Sequence, residues 1–212
     1  AHEVKNPLSS IKTISQVMKE ELSPEDKNQE GLSLIIGEID RLSRVVKQLL
    51  LFAKPHSSNW EKVDIEEVLK DVLLLLKHEA SRLNVAIENI KCDDELILTT
   101  DKDGLSEIFF NIILNGIQAL KDGGKVTISK SLKYNQENQT ASGICIFVAD
   151  NGHGISQEEQ EKIFEPFYTT KQTGTGLGLS IVKNRLDKLK GFISVKNGNP
   201  GTIFEVFLPL ST

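Results

Sequence analysis

Apolar or small residues fall at Val4, Leu8, Ile11, Ser15, Met18 and Leu22, spaced alternately by four and three, which is the seam of an amphipathic helix. Leu22-Ser-Pro-Glu-Asp26 interrupts the seam, with Ser23 expected as an N-cap and Pro24 as the first residue of a second helix. That helix carries Leu32, Ile35, Ile39, Leu42, Val46, Leu49 and Ala53, flanked by Ile36, Val45, Leu50 and Phe52. The stripe is wider than a two-helix pair can cover, so two hairpins are expected to pack as a four-helix bundle, a homodimer through residues 1–54. Lys54-Pro-His-Ser-Ser-Asn-Trp60 then ends the helix and runs through small polar residues, a linker assigned to 55–61, with Trp60 anchoring it to a domain surface.

Over residues 62–212 the periods mix. Ile65 to Arg82 reads as a helix with Val68, Leu69, Val72, Leu76 and Ala80 on one side, followed by strands near Val85–Ile90 and Glu95–Thr100. A helix over Asp101–Lys121 follows, then strands at Lys125–Leu132 and Gly143–Ala149, a helix over Leu177–Lys190, and closing strands at Phe192–Lys196 and Thr202–Leu208. An antiparallel or mixed sheet covered on one face by helices is the packing these elements allow, and the fold class is α+β.

Composition narrows the partners. The 212 residues, 39% hydrophobic and 26% charged, suffice for one or two globular domains. A net charge of -5 argues against wrapping nucleic acid or a polybasic membrane contact, which leaves proteins and small anions. Cys92 and Cys145 have no metal-ligand spacing and read as buried, reduced thiols, which fits a cytoplasmic setting. No apolar run approaches the roughly 18–20 residues of a membrane span. The chain opens at Ala1 with helical periodicity already under way, so it reads as a piece of a longer protein whose upstream part, a membrane anchor included, stays open.

The candidate chemistry lies in short polar pieces. On the first heptad His2 falls off the seam, facing solvent, with Glu3 beside it and Asn6 one turn further on. Pro7 inside that helix removes the hydrogen bond to the Glu3 carbonyl, at a cost of about 3 kcal/mol, and bends the segment next to the histidine. A surface histidine near a frayed end is the plain alternative. In the Asp101–Lys121 helix Glu107, Asn111, Asn115 and Gln118 form a polar stripe. A solvated face would usually carry Lys and Glu, whereas asparagine is a poor helix former, so two of them one turn apart suggest ligation, and an amide oxygen suits Mg²⁺.

Asp150 ends the apolar strand Ile144-Cys-Ile-Phe-Val148 and begins Asp150-Asn-Gly152-His-Gly154. The sequence reads either as a turn or as a buried carboxylate that accepts a hydrogen bond from a base amine while glycine lets the backbone approach the ring. His153 has no second metal ligand nearby in sequence. Gly174-Thr175-Gly176-Leu177-Gly178 opens a helix whose free N–H groups favour phosphate, although its spacing is neither a Rossmann turn nor a Walker loop. The Gln157–Thr173 segment before it, with Phe164 and Phe167 as apolar hooks and Lys171 near its tip, reads as a mobile lid.

Together these pieces resemble the sensor histidine kinases of two-component systems, over nearly the whole chain. His2-Glu-Val-Lys-Asn-Pro7-Leu8 looks like that family's phosphoacceptor H-box, Asn111 to Asn115 its N-box and Asp150 to Gly154 its first glycine box. Phe164-Glu-Pro-Phe167 looks like the F-box, Gly174 to Gly178 the second glycine box, and Gly201-Thr202-Ile-Phe the closing G-T-x-F segment. The resemblance implies a dimerisation and phosphotransfer hairpin followed by an ATP-binding domain of the Bergerat type, with ATP and Mg²⁺ as cofactors. It implies phosphorylation of His2 with Glu3 as general base, Asn6 orienting a phosphatase water, and transfer to an aspartate of a response-regulator receiver domain. Asn115 would hold Mg²⁺. Asn111, Asn115, Asp150, Gly152, Gly154, Lys171, Gly174, Thr175, Gly176, Leu177, Gly178 and Thr202 would line the ATP site.

This chain departs from the family pattern in two places. Gly116 stands where alanine is commoner and Gln118 where many members carry a basic residue. The Asn115-Gly-Ile-Gln-Ala119 form resembles the nitrogen-regulation branch instead, and phosphate charge then rests more on Lys171, Mg²⁺ and the helix end. A Bergerat ATPase that hydrolyses ATP to drive a clamp, and a nucleotide-binding scaffold without catalysis, are the other two classes. The hydrolase usually needs a glutamate to activate water, and by resemblance Asn111 occupies that place.

Overall fold

A computed structural model describes residues 2–23, 25–53, 60–135, 140–171 and 174–210. The side chains of residues 2–6, 41 and 44–53 lie outside that description. The chain divides into two compact units, one made of residues 1–56 and 169–177, the other of 57–168 and 178–212.

In the first unit, helices α1 (His2–Glu21) and α2 (Asn28–Ala53) form a hairpin. Gln29 closes the turn by donating its side-chain amide to the carbonyls of Lys19 at 2.9 Å and Leu22 at 3.1 Å. An ion pair of 2.6 Å between Lys12 and Asp40 ties the two helices further along. The second helix does not begin at Pro24, which lies outside the described residues. It begins at Asn28, where the Asp26 carboxylate accepts the first free backbone N–H at 2.8 Å, so Asp26 outcompetes Ser23 as the capping group. Within one chain the hairpin buries Ser15, Leu32 and Ile39, while Ile11, Ile14, Val17, Met18, Leu34, Ile35 and Leu42 stay exposed.

The second unit is built on a five-stranded sheet. Strand β1 (Trp60–Asp64) leads into α3 (Ile65–Arg82), capped by the Asp64 side chain, and β2 (Val85–Asn89) follows. Strand β3 (Ile97–Asp101) pairs antiparallel with β1 and ends in Asp101, which caps α4 (Lys102–Ala119) by accepting the Gly104 N–H. After β4 (Gly124–Tyr134), β5 (Ala141–Asp150), the short α5 (Gln157–Lys162) and α6 (Gly178–Lys188), strands β6 (Phe192–Asn197) and β7 (Thr202–Pro209) close the chain. The main sheet runs β2-β4-β5-β7-β6, parallel only between β2 and β4. Trp60 and Glu61, read above as the end of the linker, are the first two residues of β1, where Trp60 lies opposite Asp101.

Strand alternation decides what faces the helices. Val126 and Ile128 on β4, Ile144, Ile146 and Val148 on β5, and Phe204, Val206 and Leu208 on β7 are buried against α3, α4 and α6. Asp150 follows Val148 by two residues and therefore points to the same covered side. Cys145 lies one step out of that phase and is buried too, which pushes its thiol pKa up, while Cys92 is only half-buried; both are free thiols. Burial also covers Lys130, whose ammonium pairs with Glu66 and donates to Asn89 at 2.8 Å, tying α3 and the edge strand β2 to β4.

Candidate functional site

Period-two burial leaves Asp150 only 7% exposed at the end of β5, where a bare carboxylate would be costly. The structure meets that cost on one oxygen. Oδ1 accepts the backbone N–H of Gly152 at 2.9 Å and that of Thr202 at 3.3 Å. Among the described residues no donor reaches Oδ2, which leaves a buried acceptor for an outside donor. Asp150 thus makes the turn with one oxygen and keeps the other spare.

The glycines around it keep the backbone close. A Cβ on Gly201, whose φ is +98°, would lie 1.8 Å from the Asp150 carbonyl oxygen, so only glycine allows the β6–β7 connection to press against the loop. A Cβ on Gly152 would come within 2.9 Å of Asp150 Oδ1. Gly154 adopts φ +78° beside the Asn197 side chain. Asn151 anchors the opposite flank, accepting the Lys125 N–H at 2.7 Å and donating its own N–H to the Lys125 carbonyl at 3.2 Å. His153 sits beside the Gly154 carbonyl, 2.7 Å from its Nδ1, and no three His, Cys, Asp or Glu among the described residues gather as a metal cage.

Helix α4 brings the asparagines to the same region. Gly116 faces the loop: a Cβ there would stand 3.9 Å from the Asp150 Cβ and 3.3 Å from Val126, so alanine would need a small shift of β4. Asn111 donates its Nδ2 to the Glu107 carbonyl at 2.8 Å, which turns Oδ1 toward α6. Gly178, the first residue of α6, sits against it, since a Cβ there would be 3.0 Å from Asn111 Oδ1 and 3.9 Å from Asn115 Nδ2. The Asn111 amide oxygen is a hard, neutral donor of the kind Mg²⁺ takes, and the start of α6 beside it suits the phosphate that would bring the ion.

Glu107, the first member of the polar stripe, is already engaged. Its Oε2 lies 2.6 Å from both Nε and an Nη of Arg185, joining α4 to α6 with both side chains largely buried. Sequence reading missed this pair, whose members are 78 residues apart. Arg185→Met is expected to destabilise the unit by about 2–3 kcal/mol in urea unfolding, because it strands a buried carboxylate. A loss no larger than that from Lys12→Met, which breaks the exposed Lys12–Asp40 pair, would contradict this.

The segment assigned to a lid contains structure of its own. Ser156 and Glu159 form a reciprocal capping box at the start of α5, with Ser156 hydrogen bonds holding the Glu159 carboxyl below its ordinary pKa. Phe164 packs on the core, whereas Phe167, at φ +68°, is 61% exposed. In the other unit, Thr169 accepts the Lys171 N–H at 3.1 Å, Gly174 donates to the Lys171 carbonyl at 3.1 Å, Gly176 has φ +68°, and Leu177 donates to Thr175 Oγ1 at 3.4 Å. A Cβ on Gly174 would collide with Thr169. The structure therefore brings Asn111, Asn115, Asp150, Gly152, Gly154, Gly178 and Thr202 into one unit, and Lys171, Gly174, Thr175, Gly176 and Leu177 belong to the other. His2, Glu3 and Asn6 fall on α1, but their side chains lie outside the described residues.

Comparison with known proteins gives the class. Residues 100–212 match the family of histidine kinase-, DNA gyrase B- and HSP90-like ATPases, and residues 1–58 match the His kinase A (phospho-acceptor) domain. The chain belongs to that ATPase family, and with the phospho-acceptor domain in front it has the domain make-up of a two-component sensor histidine kinase. It is 39% identical over 214 residues to sporulation kinase C of Bacillus subtilis (strain 168), covering 100% of this chain and 48% of that protein. It is 34% identical over 213 residues to the signal transduction histidine-protein kinase AtoS of Escherichia coli (strain K12), covering 100% of this chain and 34% of that protein. The chain thus spans about half the length of the first relative and a third of the second. The crystal structure of histidine kinase ThkA in complex with response regulator protein TrrA resembles it with a TM-score of 0.75 at 26% identity, covering 100% of this chain and 60% of that one.

Proposed function

We propose that the protein is an ATP-dependent protein-histidine kinase that phosphorylates His2 and passes the phosphoryl group to an aspartate of a response-regulator receiver domain. The observation that carries this is the succession, in one chain, of a phospho-acceptor domain at residues 1–58 and an ATPase domain at 100–212. The ThkA relative, crystallised with a response regulator, supports a partner of that kind.

In the reaction a neutral imidazole nitrogen of His2 attacks the γ-phosphorus of ATP in line, the bond to the β-phosphate oxygen breaks, and ADP leaves. Glu3 takes the other ring proton as general base. The free Oδ2 of Asp150 accepts a hydrogen bond from the adenine amine, and Gly152, Gly154 and Thr202 shape that pocket. Asn111 and Asn115 meet the phosphate end, where Asn115 would hold Mg²⁺ and the ion would offset the charge of the phosphates. Lys171 and the Gly174–Gly178 stretch, including Thr175, Gly176 and Leu177, complete the phosphate grip. Asn6, one turn after His2, orients water for dephosphorylation of the regulator.

The exposed Ile11, Ile14, Val17, Met18, Leu34, Ile35 and Leu42 support homodimerisation through residues 1–54, with 55–61 as linker and 62–212 as the catalytic domain. No helix among the described residues is long and apolar enough to cross a membrane, and a cytoplasmic location for this part of the protein fits ATP chemistry.

The test is incubation with γ-labelled ATP and Mg²⁺. The expected product carries an acid-labile, base-stable label on His2. A label on serine, or none from protein that binds ATP, would overturn the assignment.

A further inference from the structure

We propose that Asn197 is a positioning residue for the loop that reads adenine, and that through it the β6–β7 hairpin sets base selectivity. The inference rests on the assignment of adenine to Asp150. Asn197 is the last residue of β6, paired with Thr202 at the start of β7. Its side-chain amide faces Ile155 as a neighbouring strand would: Oδ1 accepts the Ile155 N–H at 2.9 Å and Nδ2 donates to the Ile155 carbonyl at 2.9 Å. The donor and acceptor pattern fixes which amide atom points where.

These contacts put the loop under control at both ends. At the Asp150 end, Thr202 donates to Oδ1 and Gly201 presses on the carbonyl; at the Ile155 end, the Asn197 amide holds the backbone, with Gly154 so close that a Cβ would lie 3.0 Å from Asn197 Oδ1. The same short hairpin therefore grips both ends of residues 150–155, and Gly152 and Gly154 span the interval between the grips. An amide is needed here because it alone among small side chains both donates and accepts in one plane, as a peptide group does. A carboxylate would accept from the Ile155 N–H and repel the Ile155 carbonyl.

Folding does not require the contact. Asn197 is exposed, and the Ile155 carbonyl also accepts from Gln160 Nε2 at 3.0 Å, so water and Gln160 satisfy the backbone when the amide is removed. What is lost is the fixed distance between the glycines and the spare oxygen of Asp150. The consequence falls on recognition of the base rather than on stability.

The experiment titrates ADP and GDP, each with Mg²⁺, into the parent protein and the Asn197→Ala, Asn197→Asp and Asp150→Asn variants by calorimetry, with thermal melts of the nucleotide-free proteins alongside. Asn197→Ala is expected to weaken ADP roughly tenfold, the loss of about two modest hydrogen bonds' worth of ordering, and to change GDP less, so that the ADP-to-GDP preference narrows. Asn197→Asp is expected to behave like Asn197→Ala or worse, and the melting midpoints of both should stay within about 3 °C of the parent. ADP affinity unchanged in Asp150→Asn would overturn the adenine assignment and the inference with it. ADP weakened in Asp150→Asn but unchanged in Asn197→Ala would overturn the inference alone, as would equal losses for ADP and GDP together with a depressed midpoint.

Discussion

Gly201→Ala is expected to destabilise the second unit by about 4 kcal/mol or more, the range reached only when a substitution meets backbone it cannot displace. Two costs add. The residue holds φ +98°, where a side chain is strained whatever the space, and the new Cβ would stand 1.8 Å from the Asp150 carbonyl oxygen. Relief requires the β6–β7 hairpin to lift from the end of β5, which breaks the Thr202 hydrogen bond to Asp150 and opens the turn that orients the carboxylate. Gly154→Ala is the informative contrast: its φ of +78° is also unfavourable, but the nearest atom is the Asn197 side-chain oxygen at 3.0 Å, which can yield at the cost of its bonds to Ile155. Urea unfolding should therefore rank Gly201→Ala well below Gly154→Ala, with nucleotide affinity lost in the first. Equal midpoints for the two would mean that the hairpin yields freely, and that its packing on Asp150 carries no strain.

Where local periodicity and burial coincide, the sequence was a sufficient guide. Helix α4 was expected from Asp101 to Lys121 and runs from Lys102 to Ala119, because Leu105, Ile108, Phe109, Ile112, Ile113 and Ile117 form a fully buried stripe that no other conformation would place together. The same holds for α3, which ends at Arg82 as its pattern requires. Strand β1 was missed because three of its five residues are exposed and show no alternation; only pairing with β3, more than thirty residues away, makes it a strand. Helix α5 was missed for a different reason. It buries nothing, and its one signal in the sequence is Ser156 followed three residues later by Glu159.

The candidate site divides along the same line. Asp150 could be placed from strand phase and apolar neighbours alone, and Asn111 and Asn115 from helical spacing. What could not be read is how these groups are held. Arg185 on Glu107, Asn197 on Ile155 and Asn151 on Lys125 are contacts between residues 78, 42 and 26 positions apart, and nothing in their local sequence marks one partner for the other. Such supports are set by which strands become neighbours in the sheet, and β5 lies between β4 and β7 only once the whole domain has formed.

The last expected result separates a kinase from a hydrolase. His2→Gln should bind Mg·ATP with near-parental affinity, since the adenine and Mg²⁺ groups proposed here belong to the ATPase domain, yet release almost no inorganic phosphate. The reason lies in Asn111. Its amide nitrogen donates to the Glu107 carbonyl at 2.8 Å, and its oxygen is a neutral acceptor that cannot take a proton from water at neutral pH. General-base assistance, typically worth about 10²–10⁴-fold, is therefore missing for water, whereas the proposed mechanism assigns the nucleophilic nitrogen to His2 and the base to Glu3. Glu107 cannot stand in, because its carboxylate is bound by Arg185 at 2.6 Å and largely buried. A malachite-green assay over hours, beside an Asn115→Ala control that should lose Mg·ATP binding, gives the answer. Steady phosphate release from His2→Gln that vanishes in His2→Gln combined with Asn115→Ala would show that water reacts in this site, and would reject the assignment of histidine as the sole acceptor.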